Sequence, residues 1–395
     1  MSSPGSTVTL LAFAAFFSGA ALRVCDALLP RLAHDFDITQ GAAGQVVIGF
    51  SIAYGLMQLV FGPLGDRYGK TRLMCLAMFG CAIGSAAAAL SPGFTTLVWA
   101  RIAWGMAAAG VIPLAMAWIG DNVPYDQRQA TLARFLTGTL SGMTAGQLAG
   151  GLFADSELGW RGAFFTLAVG FACVASLLLV RVPHVSVPAQ ADGGAHPALG
   201  RQLLAVLQIP WARVVLLAVL AEGMFLLGPM SYLPSYLHHR HGLALSTASA
   251  LLALYAVGGL VYAITARRIV AALGERRMAF SGGLLMGACF LAWWLSPPWF
   301  FAAPIALALG FGTYLFHNTL QTHATQMAPE TRGTAVALFA FCLFAGQAAG
   351  VTVSGWTIDH LGYAPMLLAA GLALPLAGWG FAAALHRRVP TTSAV

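Results

Sequence analysis

Apolar runs of close to twenty residues recur along the whole chain, separated by short polar breaks. A helix that crosses the hydrocarbon core of a bilayer needs about 20 predominantly apolar residues, and twelve segments meet that requirement. Six lie at about 8–30, 43–63, 73–91, 94–119, 132–154 and 162–181; six more lie at about 211–237, 247–266, 278–296, 299–323, 334–358 and 365–386. One interruption is of a different kind. Residues 182–210 are polar, rich in Pro and Gly, and longer than any other connection. The pattern predicts an all-α integral membrane protein of twelve transmembrane helices, with an N-terminal six-helix bundle at 1–181, a cytoplasmic linker at 182–210 and a C-terminal six-helix bundle at 211–395.

The two halves are related in sequence. Arg128 to Asp155 aligns with Arg332 to Asp359 at an offset of 204, which pairs Gly142 with Gly346, Gly146 with Gly350, Gly151 with Gly355 and Asp155 with Asp359. The same offset carries Gly19 to Gly223 and Pro30 to Pro234. Two like-oriented, pseudo-symmetric bundles predict a binding site near the midplane between them and transport by alternating access.

Orientation follows from the basic residues, which concentrate on the cytoplasmic side of membrane proteins. With the N-terminus inside, fifteen of the 20 Lys and Arg fall on inner segments and helix ends, three (Arg31, Arg161 and Arg240) fall outside, and Arg23 and Arg101 lie within spans. Both termini are therefore expected in the cytoplasm. The first 22 residues hold no Lys or Arg, so a signal peptide's basic leader is missing and the first span is expected to be retained.

Composition sharpens this. Globular proteins are about 45–50% apolar and about 25% charged, whereas this chain is 59% hydrophobic and 8% charged, which excludes soluble enzymes and secreted scaffolds. Its net charge of +7 comes from scattered basic residues, all Arg except Lys70. No continuous basic face accompanies them, so nucleic acid is not an expected partner. The six Cys lie in apolar stretches without CxxC spacing, and neither disulfides nor a metal site is expected. There is no HExxH and no GxSxG motif, so the chain is not expected to be an enzyme.

The densest charge lies between spans 2 and 3, in Gly62 to Met74. Its Gly-Lys-Thr is not a phosphate loop, because Leu64 stands where the first Gly of that motif belongs and no strand precedes it. Gly62, Leu64, Asp66, Arg67, Gly69, Lys70 and Arg72 instead resemble the loop 2–3 signature of the major facilitator superfamily. With twelve spans and a midpoint linker, the resemblance covers essentially the whole chain. It implies the major facilitator fold, with Asp66 capping the start of span 11 and Arg67 or Arg72 paired with Asp121. The equivalent second-half loop keeps Gly274, Arg276 and Arg277 but has Ala271 in place of the Asp. Arg101 and Gly105 resemble the family's span-4 signature, and Gly142, Gly146, Gly150 and Gly151 resemble its antiporter signature, with Ala133 and Gln147 departing from it. Spans 1 and 10 are similar to those of bacterial drug:proton antiporters and sugar-efflux-like members.

Ionisable groups within a span cost about 2.5–3.5 kcal/mol on insertion scales and are usually functional. Four occur here: Arg23, Asp26, Arg101 and Glu222. The resemblance places spans 1, 4, 7 and 10 around a central cavity, and these charges fall on three of them. Asp26 is the expected proton carrier, Arg101 its modulator, and Glu222 a second proton site or a contact for cationic substrate; a static ion-pair network is the competing reading. Polar candidates for the substrate cavity are His317, Asn318, Gln321, Tyr232, Tyr54, Gln58 and Gln147. Few polar groups among 24 Phe, 10 Trp and 9 Tyr suit amphipathic or weakly polar ligands. The reading is a monomeric, proton-coupled exporter of small amphipathic compounds in a bacterial inner membrane, with protons, substrate and lipid as partners and no cofactor beyond the proton gradient. A proton-coupled importer of a small metabolite is the alternative; from another class, a non-transporting membrane sensor.

Overall fold

The computed structural model describes residues 4–181 and 199–388, and among these every regular element is helical. Among the described residues, nine helical stretches are long and apolar enough to cross a membrane. One of them, Leu245–Trp294, has 50 residues. At 1.5 Å per residue it would run about 75 Å, more than twice a 30 Å hydrocarbon core, and it turns at Gly274, whose φ of 67° is left-handed. It is therefore spans 8 and 9. Pro4–Arg23 supplies span 1 and Tyr125–Ala154 span 5, which completes twelve.

The remaining spans are Gln45–Tyr68 (2), Lys70–Ala89 (3), Phe94–Ala108 continued by Val111–Asn122 (4), Gly159–Arg181 (6), Pro210–Glu222 with its continuation to His241 (7), Ala302–Ala324 (10), Arg332–Leu361 (11) and Tyr363–Arg387 (12). Twelve crossings return both chain ends to one face, here the terminal face; the opposite one is the outer face. The interior is apolar as in a soluble protein, but the outside is apolar too and a few charges are buried. Leu90, Ile83 and Ile264 are more than 70% exposed, whereas Arg101, Asp26 and Glu222 are 1% exposed.

Two local features are not anticipated by the sequence pattern. Leu199–Gln208, read as linker, is an amphipathic helix that leads directly into span 7. Gln202 accepts a hydrogen bond from Thr334 at the start of span 11 at 2.7 Å. Residues 182–198 of the expected linker lie outside the described residues. Span 1 is also broken: its helix stops at Arg23 and resumes as Leu29–Asp35.

The break repeats in span 7, where a π-helical turn at Gly223–Leu227 and the short Gly228–Met230 precede Leu233–His241. Pro30 and Pro234 open the two outer segments. Proline lacks the N–H that would continue the helix ladder but suits a first turn, so equivalent prolines explain equivalent breaks.

Glycines hold spans 1 and 5 together. A Cβ on Gly138, Gly142, Gly146 or Gly150 would fall on the carbonyl oxygen of Ala12, Phe16, Ala20 or Val24, one contact per turn. At the repeat offset, Gly346 and Gly350 of span 11 meet Leu220 and Met224 of span 7 in the same way. Lipid tails are as apolar as Leu, so helix association in a bilayer relies on such close approach. Gly142→Leu is expected to lower the melting temperature of the purified protein, since overpacking costs about 1–3 kcal/mol. Gly380→Leu, where nothing lies within 4 Å, is expected to leave it unchanged.

Candidate transport site

The helix breaks carry the buried charge. Asp26 sits in the turn between the two segments of span 1, and its Oδ2 accepts from Arg23 Nη1 at 3.1 Å. Arg23 reaches onward across the halves, with Nη2 3.8 Å from Met230 Sδ; Met230 is the repeat counterpart of Asp26. Glu222 is the residue before the π turn of span 7, and its Oε2 lies 2.9 Å from Nδ1 of His317 on span 10. In both carboxylates the second oxygen, Asp26 Oδ1 and Glu222 Oε1, is buried and has no close hydrogen-bond partner among the described residues, while the Ser231 hydroxyl acts on Asp26. The two are not equivalent in depth. Glu222 aligns with Ser18, eight residues from Asp26, or about 12 Å along a helix axis.

Between the halves, beside Arg23, lies a narrow cleft of about 40 Å³, well below the usual size of an open small-molecule site. Its walls are mostly apolar: Met143 and Gln147 from span 5, Met230 from span 7, Tyr255 from span 8 and Tyr314 from span 10. Of these only Gln147 was singled out from the sequence. The methionines and tyrosines could not be, because nothing in their local pattern distinguishes a cavity wall from ordinary helix packing.

Other expected residues lie elsewhere. Arg101 makes no ion pair with Asp26 among the described residues. It donates to the carbonyls of Val46 at 3.2 Å and Ala21 at 3.4 Å, and its guanidinium stacks 4.0 Å from the Phe50 ring centre. Asn318 donates to the Tyr262 hydroxyl at 2.9 Å, inside the second half. Gln321 is exposed one turn beyond His317. Tyr54 is buried against Phe344 of span 11, with ring centres 4.6 Å apart, and Gln58 is half-buried a turn further along.

Tyr232 belongs to the outer closure instead of the cavity. It is fully buried, donates to the Val351 carbonyl at 3.3 Å and packs where a Cβ on Gly44 would fall. That closure is built from two matching clasps. Asp155, ending span 5, accepts from the backbone N–H groups of Leu245 and Ser246 at 3.1 and 2.8 Å. Asp359, near the end of span 11, accepts from the Thr39 hydroxyl at 2.6 Å and the Gly41 N–H at 2.9 Å. Each carboxylate caps a helix of the other half, where N–H groups lack partners and the helix dipole is positive. Gly151 and Gly355 let the backbones meet beside them: a Cβ on Gly151 would strike Ser249, and one on Gly355 would strike Gly41. Thus Gly142, Gly146 and Gly150 pack span 5 on span 1, whereas Gly151 faces span 8.

On the terminal face, Asp121 pairs with Lys70 and, among the described residues, forms no ion pair with Arg67 or Arg72. Lys70 opens span 3 after Gly69 (φ 87°). Arg67 lies over the Tyr68 ring at 5.3 Å, and Arg72 is exposed. A Cβ on Gly62 would meet nothing within 4 Å. The Asp66 side chain lies outside the described residues.

Two repeated six-helix bundles around a cleft with buried charges are the architecture of a multi-pass membrane transporter. The chain matches the Major Facilitator Superfamily over residues 11–351 and 241–395, and it belongs to that family. It is 28% identical over 378 residues to a chloramphenicol resistance protein of Streptomyces lividans, covering 93% of each chain. It is 24% identical over 353 residues to the uncharacterized MFS-type transporter YceJ of Bacillus subtilis (strain 168), covering 88% of each. Among solved structures it is similar to a bacterial homolog of the human lysosomal transporter Spinster in an inward-facing, unoccupied conformation, with a TM-score of 0.79, 18% identity and coverage of 98% of each chain. A D-xylose-proton symporter gives 0.74, 15% and 99% of each. These two likenesses establish the fold.

The clasps generate a prediction. A helix cap contributes about 1 kcal/mol, so Asp155→Ala and Asp359→Ala are each expected to shift the closed-to-open ratio of the outer face about fivefold. Spin labels at the exposed Leu158 and Leu361 are expected to show a longer-distance population that grows further in the double variant.

Proposed function

We propose that this transporter is a proton-driven exporter of small amphipathic compounds, acting by alternating access in a bacterial inner membrane with both termini in the cytoplasm. The observation that carries this reading is the pair of buried carboxylates at the flexure points of spans 1 and 7, each holding a basic partner through one oxygen. The predominantly apolar cleft beside them supports an amphipathic substrate. So does the similarity, over 93% of the chain, to a protein named for chloramphenicol resistance. No cofactor is needed beyond the proton gradient.

The coupling acts at the helix joints. Charged Asp26 ties Arg23 across the break in span 1; a proton on Asp26 removes that attraction and leaves Arg23 against Met230. Charged Glu222 accepts from His317 and so ties span 7 to span 10; once protonated, its carboxyl becomes a donor and that bond is lost or reversed. Each protonation therefore loosens a joint that must bend when the halves rock. Arg101, fastened to span 1 and span 2 carbonyls, keeps the first bundle together while Asp26 changes charge. The outer clasps close one side, so the cleft serves the terminal side, with the segment before span 7 joining two bundles that move as units. The monomer suffices, because both halves of the cleft come from one chain.

Import by proton symport is the second reading. Ala133 and Gln147 break the antiporter signature, and the same fold serves a D-xylose-proton symporter.

In proteoliposomes with an imposed pH gradient, the wild type is expected to drive amphipathic compounds such as chloramphenicol against their gradient. Asp26→Asn and Glu222→Gln are each expected to reduce this to background while preserving substrate exchange without a gradient. Full gradient-driven transport in either stable variant removes that residue from the coupling. Comparing inverted with right-side-out vesicles decides direction.

A further inference from the structure

On the lipid-facing flank of the second half, away from the transport cleft, a groove of about 410 Å³ lies between spans 9 and 12 at the terminal face. Arg276 and Arg277 stand at its rim, and Phe280, Trp379, Ala382 and Ala383 line it. The order along each helix gives the groove a direction. Span 9 runs inward from the terminal face, so Phe280 lies one turn deeper than Arg276, about 5–6 Å. Span 12 runs the other way, so Trp379 lies one turn deeper than Ala383. The groove is cationic at the surface and apolar below, and Phe280 and Trp379 are 42% and 61% exposed. Deeper still, Leu284 on span 9 and Leu376 on span 12 continue the exposed apolar surface.

The two guanidinium groups have no carboxylate partner among the described residues. Arg276 Nη1 lies 3.3 Å from His386 Nδ1, at the end of span 12. Glu275, the adjacent acid, is engaged elsewhere, with Oε2 3.1 Å from His323 Nε2. Topology alone requires positive charge near this face, but not a groove beneath it. Guanidinium offers several donors in a fork that fits phosphate oxygens, and basic pockets between transmembrane helices take anionic lipid head groups.

We infer that the groove between spans 9 and 12 binds an anionic phospholipid, its phosphate held by Arg276 and Arg277 and an acyl chain laid along Phe280 and Trp379. A membrane lipid fits because the rim is cationic, the floor is apolar and the floor continues along the bilayer-facing surface. The site is independent of the direction of transport.

Native mass spectrometry of the purified full chain tests it, with phosphatidylglycerol and phosphatidylcholine as probes. The wild type is expected to retain a phosphatidylglycerol molecule in preference to phosphatidylcholine. The double variant Arg276→Ala, Arg277→Ala is expected to lower that preference about thirtyfold, the effect of two surface arginines; Arg276→Gln with Arg277→Gln replaces it if the alanine pair folds poorly. Removing the same charge at span 8 with Arg267→Ala and Arg268→Ala is expected to leave the preference intact. Equal retention of the two lipids overturns the inference, as does undiminished preference in the Arg276, Arg277 variant. An equal loss in the span 8 variant also overturns it, showing a diffuse basic surface. Displacement of the lipid by millimolar inorganic phosphate does so too, showing a site for free anions.

Discussion

A charge in the middle of a bilayer must be answered inside the protein, and the structure is arranged around that requirement. Arg23 with Asp26 and His317 with Glu222 supply the answer at two depths. They sit where spans 1 and 7 lose regular helix, which is also where backbone groups need partners other than the next turn. Irregular backbone is tolerated at membrane depth only when it is buried in protein or lines a cavity. The breaks, the charges and the cleft are thus one feature: the discontinuity makes room for a side chain network, and the network makes the discontinuity tolerable.

Around these joints the helices must approach closely without a hydrophobic force to drive them together. The glycine rows of spans 5 and 11 meet that need by removing side chains where backbones touch. They are signatures of packing as much as of transport direction. The same residues that resemble an antiporter motif would be wanted in any protein that docks span 5 on span 1 so tightly.

Much of the architecture was legible because its causes are local. Twenty apolar residues report a crossing without knowledge of any neighbour, and the 204-residue offset already paired Asp155 with Asp359. Their shared task was not legible, since it depends on which helix ends they face across the halves; Thr39, which caps the short helix Gln40–Ala43 leading into span 2, was the available hint of an N-terminus. Arg101, expected to modulate Asp26, acts on it at a distance, because its direct hydrogen bonds go to the carbonyls of Ala21 and Val46. Asp121 was assigned to Arg67 or Arg72, but the left-handed turn at Gly69 places Lys70 toward it. Those two choices are set by rotation about helix axes, which a one-dimensional pattern leaves open. Asn318 and Tyr232 differ for the same reason: each was placed by span and polarity, and each spends its hydrogen bond on a neighbouring helix.

The outer clasps have a mechanical corollary. Asp155 joins spans 5 and 8, while Asp359 joins spans 11 and 2, so the fastenings lie on opposite flanks of the seam and are exchanged by the internal two-fold. Equal fastenings on two flanks pull the halves together without torque, and their release leaves a rigid rotation about an axis in the membrane plane. If one fastening held alone, it would become a pivot, and the halves would scissor sideways, widening the seam on one flank only. Two-fold symmetry in the latch thus selects the kind of motion as well as its end point.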